Sequence, residues 1–213
     1  MPKITALKQQ VKNKERVSLF LDDEFAFGMA AILAMGLRVG QVLTEEEIAT
    51  LKDEATFEAC KQSAFTFLAH RPRSEWEIRR NLKGKEYPPA IIDATIRRLE
   101  ELDFCNDVEF ARYWVRQREQ FKPRSPMALS QELRQKGVER EVIDEVLSEI
   151  DVEASAMRAA EKRAPRWEHL DEEMFREKMS RYLAGRGFRY DVTRDVVRQL
   201  WERIEEERVA DGE

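Results

Sequence analysis

Residues that usually carry chemistry are scarce in this sequence of 213 residues. It has two cysteines, Cys60 and Cys105, and two histidines, His70 and His169, and none of them has the spacing of metal ligands or of a disulfide framework. No Gly-rich phosphate loop and no Ser/His/Asp or Cys/His signature is present. We therefore expect a protein that is not an enzyme and has no catalytic residue, metal or cofactor.

Long apolar runs are also lacking. The N-terminus, MPKITALKQQ, is polar and has no signal-peptide pattern. The longest run of low polarity, from Phe25 to Leu37, spans about 13 residues and contains two glycines, which is too short to cross a bilayer. These features predict a cytoplasmic protein without membrane contact.

Glycine and proline are few, at 8 and 7 residues, whereas charged residues make up 37% and hydrophobic residues 42%. A disordered chain would have much less apolar content. The combination is typical of long helices with one apolar stripe and a large solvated surface. We expect a mainly α protein.

One sequence unit occurs three times, about 50 residues apart, as LKGKEYPPAIIDATI from Leu82, LRQKGVEREVIDEVL from Leu133 and LAGRGFRYDVTRDVV from Leu183. Each copy predicts a helix end, a tight stop and a new helix. Gly137 and Gly187 suit the left-handed residue of a helix C-cap. Glu86 occupies this position in the first copy, so we expect a looser cap there or an earlier end near Gly84.

A further helix precedes each unit, which makes three helices per repeat. Helix starts are predicted by Ser74 with Glu77, by Asn106 with Glu109, and by Ser125 followed by Pro126. Because one such unit is too small to bury its apolar surface alone, stacked repeats should share a core. The predicted fold is therefore three tandem three-helix repeats that form a curved elongated rod.

The first 55 residues differ from the repeats. ITALKQQ and RVSLFL are typical strands, Asp22-Asp23 predicts a turn into EFAFG, and Thr44 with Glu47 predicts a helix start. We expect a small N-terminal β-hairpin or three-stranded element. The predicted domains are an N-terminal β element plus helix at 1–54 and three-helix repeats at 55–104, 105–150 and 151–213.

Charge is unevenly distributed along the chain, whose net charge is −5. Between Arg112 and Arg140, eight Lys/Arg face three Asp/Glu, so this segment carries +5 and the remainder −10. A basic middle between acidic ends indicates a localised binding surface. Because Arg71 and Arg73 precede one predicted helix start and Lys122 and Arg124 precede another, these turns should attract anions.

The candidate binding residues share a basic side chain at or near these turns. They are Arg71, Arg73, Arg79, Arg80, Lys83, Arg112, Arg116, Arg118, Lys122, Arg124, Arg134 and Lys136. The competing interpretation is solubility together with intrahelical ion pairs such as Glu75 with Arg79. Scarcity of acids between Arg112 and Lys136 favours a binding face, for a phosphate or for a partner's carboxylate.

Aromatic residues occur at helical spacing, at Trp76, Phe110, Trp114 and Trp201. Base stacking is one use of such side chains. Burial in a core is the favoured interpretation for all four.

The repeat units and their connections resemble the RecX family, regulators of the RecA recombinase. The resemblance runs from about residue 57 to 204 and is most specific around Phe110-Ala111-Arg112 and Trp114-Val115-Arg116; RVSLFLDDEFAFG is similar to longer members. It departs from the family at Glu86 and Asp103, where glycines are usual. It implies a non-enzymatic protein that binds the RecA filament on DNA in its helical groove and lowers its ATPase, strand-exchange and coprotease activities, in DNA repair, recombination and the SOS response. Nothing in the sequence demands a dimer, so we expect a monomer.

Two other classes remain open on the residues alone. Each repeat's last two helices resemble a helix-turn-helix, so a stand-alone nucleic-acid-binding module is one alternative, and a scaffold for another partner is the other. Net acidity opposes strong binding to naked DNA. We therefore expect at most a weak direct contact with single- or double-stranded DNA.

Overall fold

Residues 1–210 are described by the structure, a computed structural model in which the chain forms two compact units. The first unit comprises Met1–Asn106 and the second begins at Asp107. The fold is mainly helical with one small sheet near the N-terminus, as predicted.

The sheet has three antiparallel strands in the order β1, β2, β3, which span Ile4–Gln9, Arg16–Leu21 and Glu24–Ala30. Asp22 and Asp23 connect β2 to β3 with φ angles of 48° and 69°. Two consecutive left-handed residues match the twist of a tight hairpin, which explains why aspartates occupy the turn. The predicted strands and their turn are confirmed.

Two helices follow the sheet in the first unit, the short α1 (Ala31–Ala34) and the long α2 (Glu45–Leu68). Thr44 and Glu47 form the predicted capping box at the start of α2. Ala55 packs into the core beneath the sheet, whereas Cys60 and Ala64 pack into the core of the first repeat. Helix α2 thus runs continuously through position 54/55 and serves both the sheet and the repeat.

Three helices make up each repeat, and each repeat has its own buried core. The prediction that stacked repeats share a core is therefore wrong. The first repeat combines the end of α2 with α3 and α4, which span Glu75–Lys83 and Pro89–Glu101. The second consists of α5, α6 and α7, which span Asp107–Phe121, Pro126–Gln135 and Arg140–Ser148. The third consists of α8, α9 and α10, which span Val152–Glu161, Glu172–Ala184 and Tyr190–Ala210, with a 3-10 turn at Ala164–Arg166.

All three predicted helix stops have the same hydrogen-bond pattern. The backbone N–H of Tyr87, Val138 and Phe188 donates to the carbonyl oxygen of the leucine five residues earlier, with N···O distances of 3.4, 3.2 and 3.2 Å. The left-handed residues are Glu86, Gly137 and Gly187, with φ of 63°, 77° and 89°. The helix of the first copy ends at Lys83 with Gly84 as its C-cap, and its bond is the longest of the three, which agrees with the looser cap near Gly84 that the sequence predicted.

Repeats two and three meet within the second unit through this stop. The backbone N–H of Ser125 donates to the carbonyl oxygen of Arg186 at 3.2 Å, and Nη1 of Arg186 donates to the carbonyl oxygen of Pro123 at 3.0 Å. A Cβ on Gly187 would lie 2.6 Å from Oγ of Ser125. The end of α9 is thus docked directly onto the start of α6.

Within residues 1–210, no helix combines the length and the apolar character that a membrane span requires. The same residues contain no group of three or more His, Cys, Asp or Glu side chains placed to hold a metal ion.

Candidate functional site

Three of the candidate arginines of the first unit are held by neighbouring side chains. Arg71 donates to both carboxylate oxygens of Glu77 at 2.9 and 3.1 Å. The guanidinium of Arg79 lies between Glu75 and Asp93, 2.5 Å from an oxygen of each, and hydrogen bonding to Glu75 above all raises the pKa of Arg79. The ion pair predicted between Glu75 and Arg79 is confirmed.

Arg73 stacks on an aromatic ring. Its guanidinium carbon lies 4.0 Å from the ring centroid of Phe67, a cation–π geometry. Ser74 then caps α3, because its hydroxyl oxygen accepts from the backbone N–H of Glu77 at 3.2 Å. Both arginines of the turn before α3, Arg71 and Arg73, therefore contact side chains of the first repeat itself.

The other two candidate cations of this unit, Arg80 and Lys83, line an open groove of about 440 Å³ between α3 and α4. Trp76 lines it too and is 42% exposed, so the prediction that this residue is core is wrong. The guanidinium of Arg80 lies 5.0 Å from the ring centroid of Trp76. Phe110 and Trp201, by contrast, are buried as predicted.

Glu132 organises one flank of α5 in the second unit. Its Oε2 accepts from Nε1 of Trp114 at 2.8 Å and from Nε of Arg118 at 2.7 Å. Nε of Arg124 lies 3.1 Å from Oε1 of Glu132, an ion pair that lacks the alignment of a hydrogen bond. Arg118 and Lys136 also lie over the ring of Trp114, at 4.6 and 5.1 Å from a ring centroid.

The other flank of α5 carries Arg112 and Arg116. Arg112 lies 3.2, 3.5 and 3.8 Å from carboxylate oxygens of Glu109, Glu145 and Glu149. Arg116 lines an open cavity of about 400 Å³ where α5, α7 and α8 meet. The candidate cations of the second unit are thus divided between two flanks of α5.

Glu119 connects the second and third repeats beside this cavity. It accepts from Oγ of Ser155 at 2.8 Å and forms an ion pair with Arg158. A charge count along the chain treats Glu119 as compensating the basic residues next to it in sequence. In the structure, Glu119 instead contacts residues 36 and 39 positions away.

Five candidate cations have no carboxylate within ion-pair distance among the described residues. They are Arg80, Lys83, Arg116, Lys122 and Arg134. Sequence reasoning identified the pair of Glu75 with Arg79. It did not identify the pairs whose acids lie on later helices, such as Arg112 with Glu145 and Arg118 with Glu132, and so did not separate these five from all of the paired arginines. Helical spacing places Glu132 one turn before Lys136, but no pattern in the sequence predicts that Glu132 contacts side chains of α5.

These features define a class: a helical-repeat protein with exposed cations and an apolar groove on its surface. Four family models match this chain. They are the Regulatory protein RecX N-terminal domain at residues 2–44 and the first, second and third three-helix domains of RecX at residues 60–99, 106–147 and 151–197. The chain belongs to the RecX family of regulatory proteins.

Curated relatives agree with this assignment. Regulatory protein RecX of Listeria welshimeri is 34% identical over 197 residues, which cover 90% of this chain and 73% of the relative. Regulatory protein RecX of Clostridium beijerinckii is 31% identical over 207 residues, which cover 94% of this chain and 96% of the relative.

Solved structures share the fold. A crystal structure of regulatory protein RecX aligns with a TM-score of 0.67 at 24% identity and covers 92% of this chain and 98% of that one. A crystal structure of RecX from Lactobacillus salivarius aligns with a TM-score of 0.59 at 22% identity and covers 68% and 96%.

Proposed function

We propose that this protein binds RecA filaments on DNA in their helical groove and contacts neighbouring RecA protomers. By blocking filament extension or promoting disassembly, it inhibits the ATPase, strand-exchange and coprotease activities of RecA. The three tandem repeats, each with its own core, are the observation that carries the proposal. Its relatives are named Regulatory protein RecX, which supports a regulatory role, and we place that role in recombination and DNA repair.

A chain of similar units suits a partner that is itself periodic. Each repeat can contribute a modest contact, and contacts made in register gain affinity through effective concentration without any single strong one. If bridging holds adjacent RecA protomers in one arrangement, it opposes the cycle that ATP hydrolysis drives. A monomer of this protein is sufficient for such bridging.

The alternative, a DNA-binding module that acts alone, has less support. In a helix-turn-helix, the last helix of each repeat would enter the major groove. That helix in the second repeat, α7, has Glu141, Asp144 and Glu145 against Arg140 as its charged residues, and Arg140 is paired with Asp144 at 3.2 Å. A net negative helix is repelled by phosphates, so direct contact with DNA should be weak.

ATP hydrolysis by RecA on single-stranded DNA, measured while this protein is titrated in, tests the proposal. We expect inhibition well below one molecule per RecA. Reversing the three unpaired cations of the second repeat to glutamate, at Arg116, Lys122 and Arg134, should raise the half-inhibitory concentration about tenfold, since each contributes to a screened charge–charge contact.

A matched control reverses three exposed cations of the N-terminal element, Lys12, Lys14 and Arg38, and should leave inhibition unchanged. Thermal unfolding of both variants checks that their folds are intact. Absence of inhibition by the unaltered protein, even in excess over RecA, would overturn the proposal.

Salt dependence separates the two candidate functions. Binding that acts through phosphates should weaken with a slope of roughly −0.7 per phosphate on single strands as the logarithm of salt rises. Inhibition through protein contacts should persist at moderate salt. Inhibition that follows the steep slope of binding to naked DNA would favour the DNA-binding module.

A further inference from the structure

The groove between α3 and α4 is open to solvent and has an apolar lining. Tyr87, Pro89 and Ile92 contribute to it from the start of α4 and the turn before it, and Trp76 closes it from the first turn of α3. Ile92 is only 6% exposed, whereas Trp76 is 42% exposed. A half-exposed tryptophan beside a buried isoleucine leaves apolar surface in water that a partner's side chain would cover.

The charged groups at the groove are an arginine held by two carboxylates and two cations that lack a carboxylate partner within residues 1–210. Arg79 and Asp93 are paired at 2.5 Å, and Glu75 holds Arg79 from the other side. Arg80 and Lys83 have no carboxylate within ion-pair distance in the described part of the chain. Arg80 and Lys83 therefore give the rim of the groove two positive charges that a partner's carboxylates can contact, in a chain whose net charge is −5.

We propose that this groove binds a large apolar side chain, aromatic or leucine-like, from an acidic segment of the partner protein. The apolar side chain fills the space beside Trp76, and flanking carboxylates meet Arg80 and Lys83. The assignment of that segment to RecA rests on the proposed function, whereas the chemistry of the groove does not depend on it.

A nucleobase stacked on Trp76 is the other occupant to consider. Arg79 occupies one oxygen of Glu75 and one of Asp93, which reduces the acceptors that these carboxylates can offer to a base edge. A sugar-phosphate backbone that passed the groove would also approach Glu75 and Asp93, whose side chains remain 38% and 50% exposed. A backbone with a phosphate at every nucleotide would place some of its charges beside these two acids. A short peptide can place its carboxylates beside Arg80 and Lys83 alone, so an acidic peptide with an apolar anchor fits better.

The second repeat has a similar pair of residues at the matching positions. When the key leucines Leu82 and Leu133 are aligned, Met127 takes the place of Trp76 and Arg134 that of Lys83. Met127 is 70% exposed. An exposed apolar residue with a free cation on the second helix therefore occurs in two repeats, which agrees with a surface used for binding rather than with a local irregularity.

The direct test uses the full chain labelled with 5-fluorotryptophan and observed by ¹⁹F NMR. Its four tryptophans give four resonances, and Trp76→Phe assigns the one from the groove. The probes are an acetylated Glu-Asp-Phe-Asp-Glu amide, the same peptide with alanine in place of phenylalanine, and a twelve-residue oligothymidylate.

We expect the Trp76 resonance to shift with the phenylalanine peptide, with an affinity about tenfold above that for the alanine peptide. Lys83→Glu should remove most of this shift, and Lys12→Glu should not. A larger shift with oligothymidylate than with either peptide, or no shift with any probe, overturns the proposal.

A functional test separates this inference from the proposed function. Trp76→Ala should raise the concentration needed to inhibit RecA ATPase about tenfold, whereas Tyr190→Ala, which removes an aromatic ring that is 79% exposed in the third repeat, should not. Trp76→Leu serves as a second variant that preserves packing and should give a smaller loss. Inhibition by the unaltered chain and by both Trp76 variants alike would overturn the groove but leave the proposed function standing.

Discussion

Replacing Gly187 with alanine is expected to lower the free energy of unfolding of the second unit by about 2–5 kcal/mol. The left-handed backbone, with φ of 89°, contributes about 1–2 kcal/mol of this loss for a residue with a Cβ. The remainder, about 1–3 kcal/mol, comes from overpacking, because the new Cβ would lie 2.6 Å from Oγ of Ser125 and 3.2 Å from Cβ of Ala128.

The first repeat provides a control of opposite sign. Glu86 has the left-handed conformation at the corresponding stop, with φ of 63°, and its side chain is exposed. Glu86→Gly should therefore raise the free energy of unfolding by up to about 1 kcal/mol. Urea denaturation followed by circular dichroism would measure both variants, and the transition slopes would show whether the units unfold separately.

A double-mutant cycle with Ser125 isolates the contact between repeats. Ser125→Ala alone should cost about 1 kcal/mol, since the hydroxyl oxygen that accepts from the backbone N–H of Ala128 at 3.2 Å is lost. In combination with Gly187→Ala, the same change removes the oxygen with which the new Cβ clashes. The double variant should therefore lose less stability than the sum of the losses of the two single variants. Strict additivity would mean that the alanine is accommodated without moving Ser125.

This contact also explains which parts of the repeat pattern were predictable. A left-handed cap is a local demand, and the five-residue spacing from leucine to the next apolar residue predicted all three stops. Gly187 is also required because its backbone lies close to Ser125 of the second repeat, and no local sequence pattern predicts such a contact. Glu86 has the left-handed backbone but is exposed to solvent and has no such close contact with the described residues, so a residue with a side chain is tolerated there.

The candidate site was less predictable for the same physical reason. The stretch from Arg112 to Arg140 is basic, yet Arg112 is surrounded by Glu145 and Glu149 from the third helix of its repeat. Such pairs depend on how helices pack, so a charge count along the chain overestimates the number of free cations. Trp76 was assigned to the core because its spacing is helical, but periodicity does not distinguish a groove from an interior.

Replacing Glu132 with alanine is the second change from which we expect a large effect, a loss of about 2–3 kcal/mol in the free energy of unfolding. The Glu132 side chain is 17% exposed and is the common acceptor for Trp114 and Arg118, with Arg124 in ion-pair contact. Removing one partner of a partly buried charge network leaves the other charges without compensation, which is more costly than losing an exposed pair.

Glu139→Ala is the matched control for this variant. Glu139 lies at the start of α7, is exposed and makes no side-chain capping bond, so its removal should change stability by less than about 0.5 kcal/mol. Thermal and urea unfolding report the loss, and Trp114 fluorescence should move to longer wavelength in Glu132→Ala as its indole N–H turns to water. Equal stabilities of the two variants would contradict the assigned role of Glu132.

Glu132→Gln separates the structural role of this acid from its effect on binding. The amide oxygen still accepts from Nε1 of Trp114, so the loss of stability should be smaller than for alanine. Removal of the charge, however, leaves Arg118 and Arg124 uncompensated, and both belong to the candidate binding residues. Affinity for single-stranded DNA should then rise a few-fold at low salt and return to that of the unaltered chain at high salt, because added ions screen exposed charges. An unchanged affinity at low salt would show that these two arginines act within the fold and not at its surface.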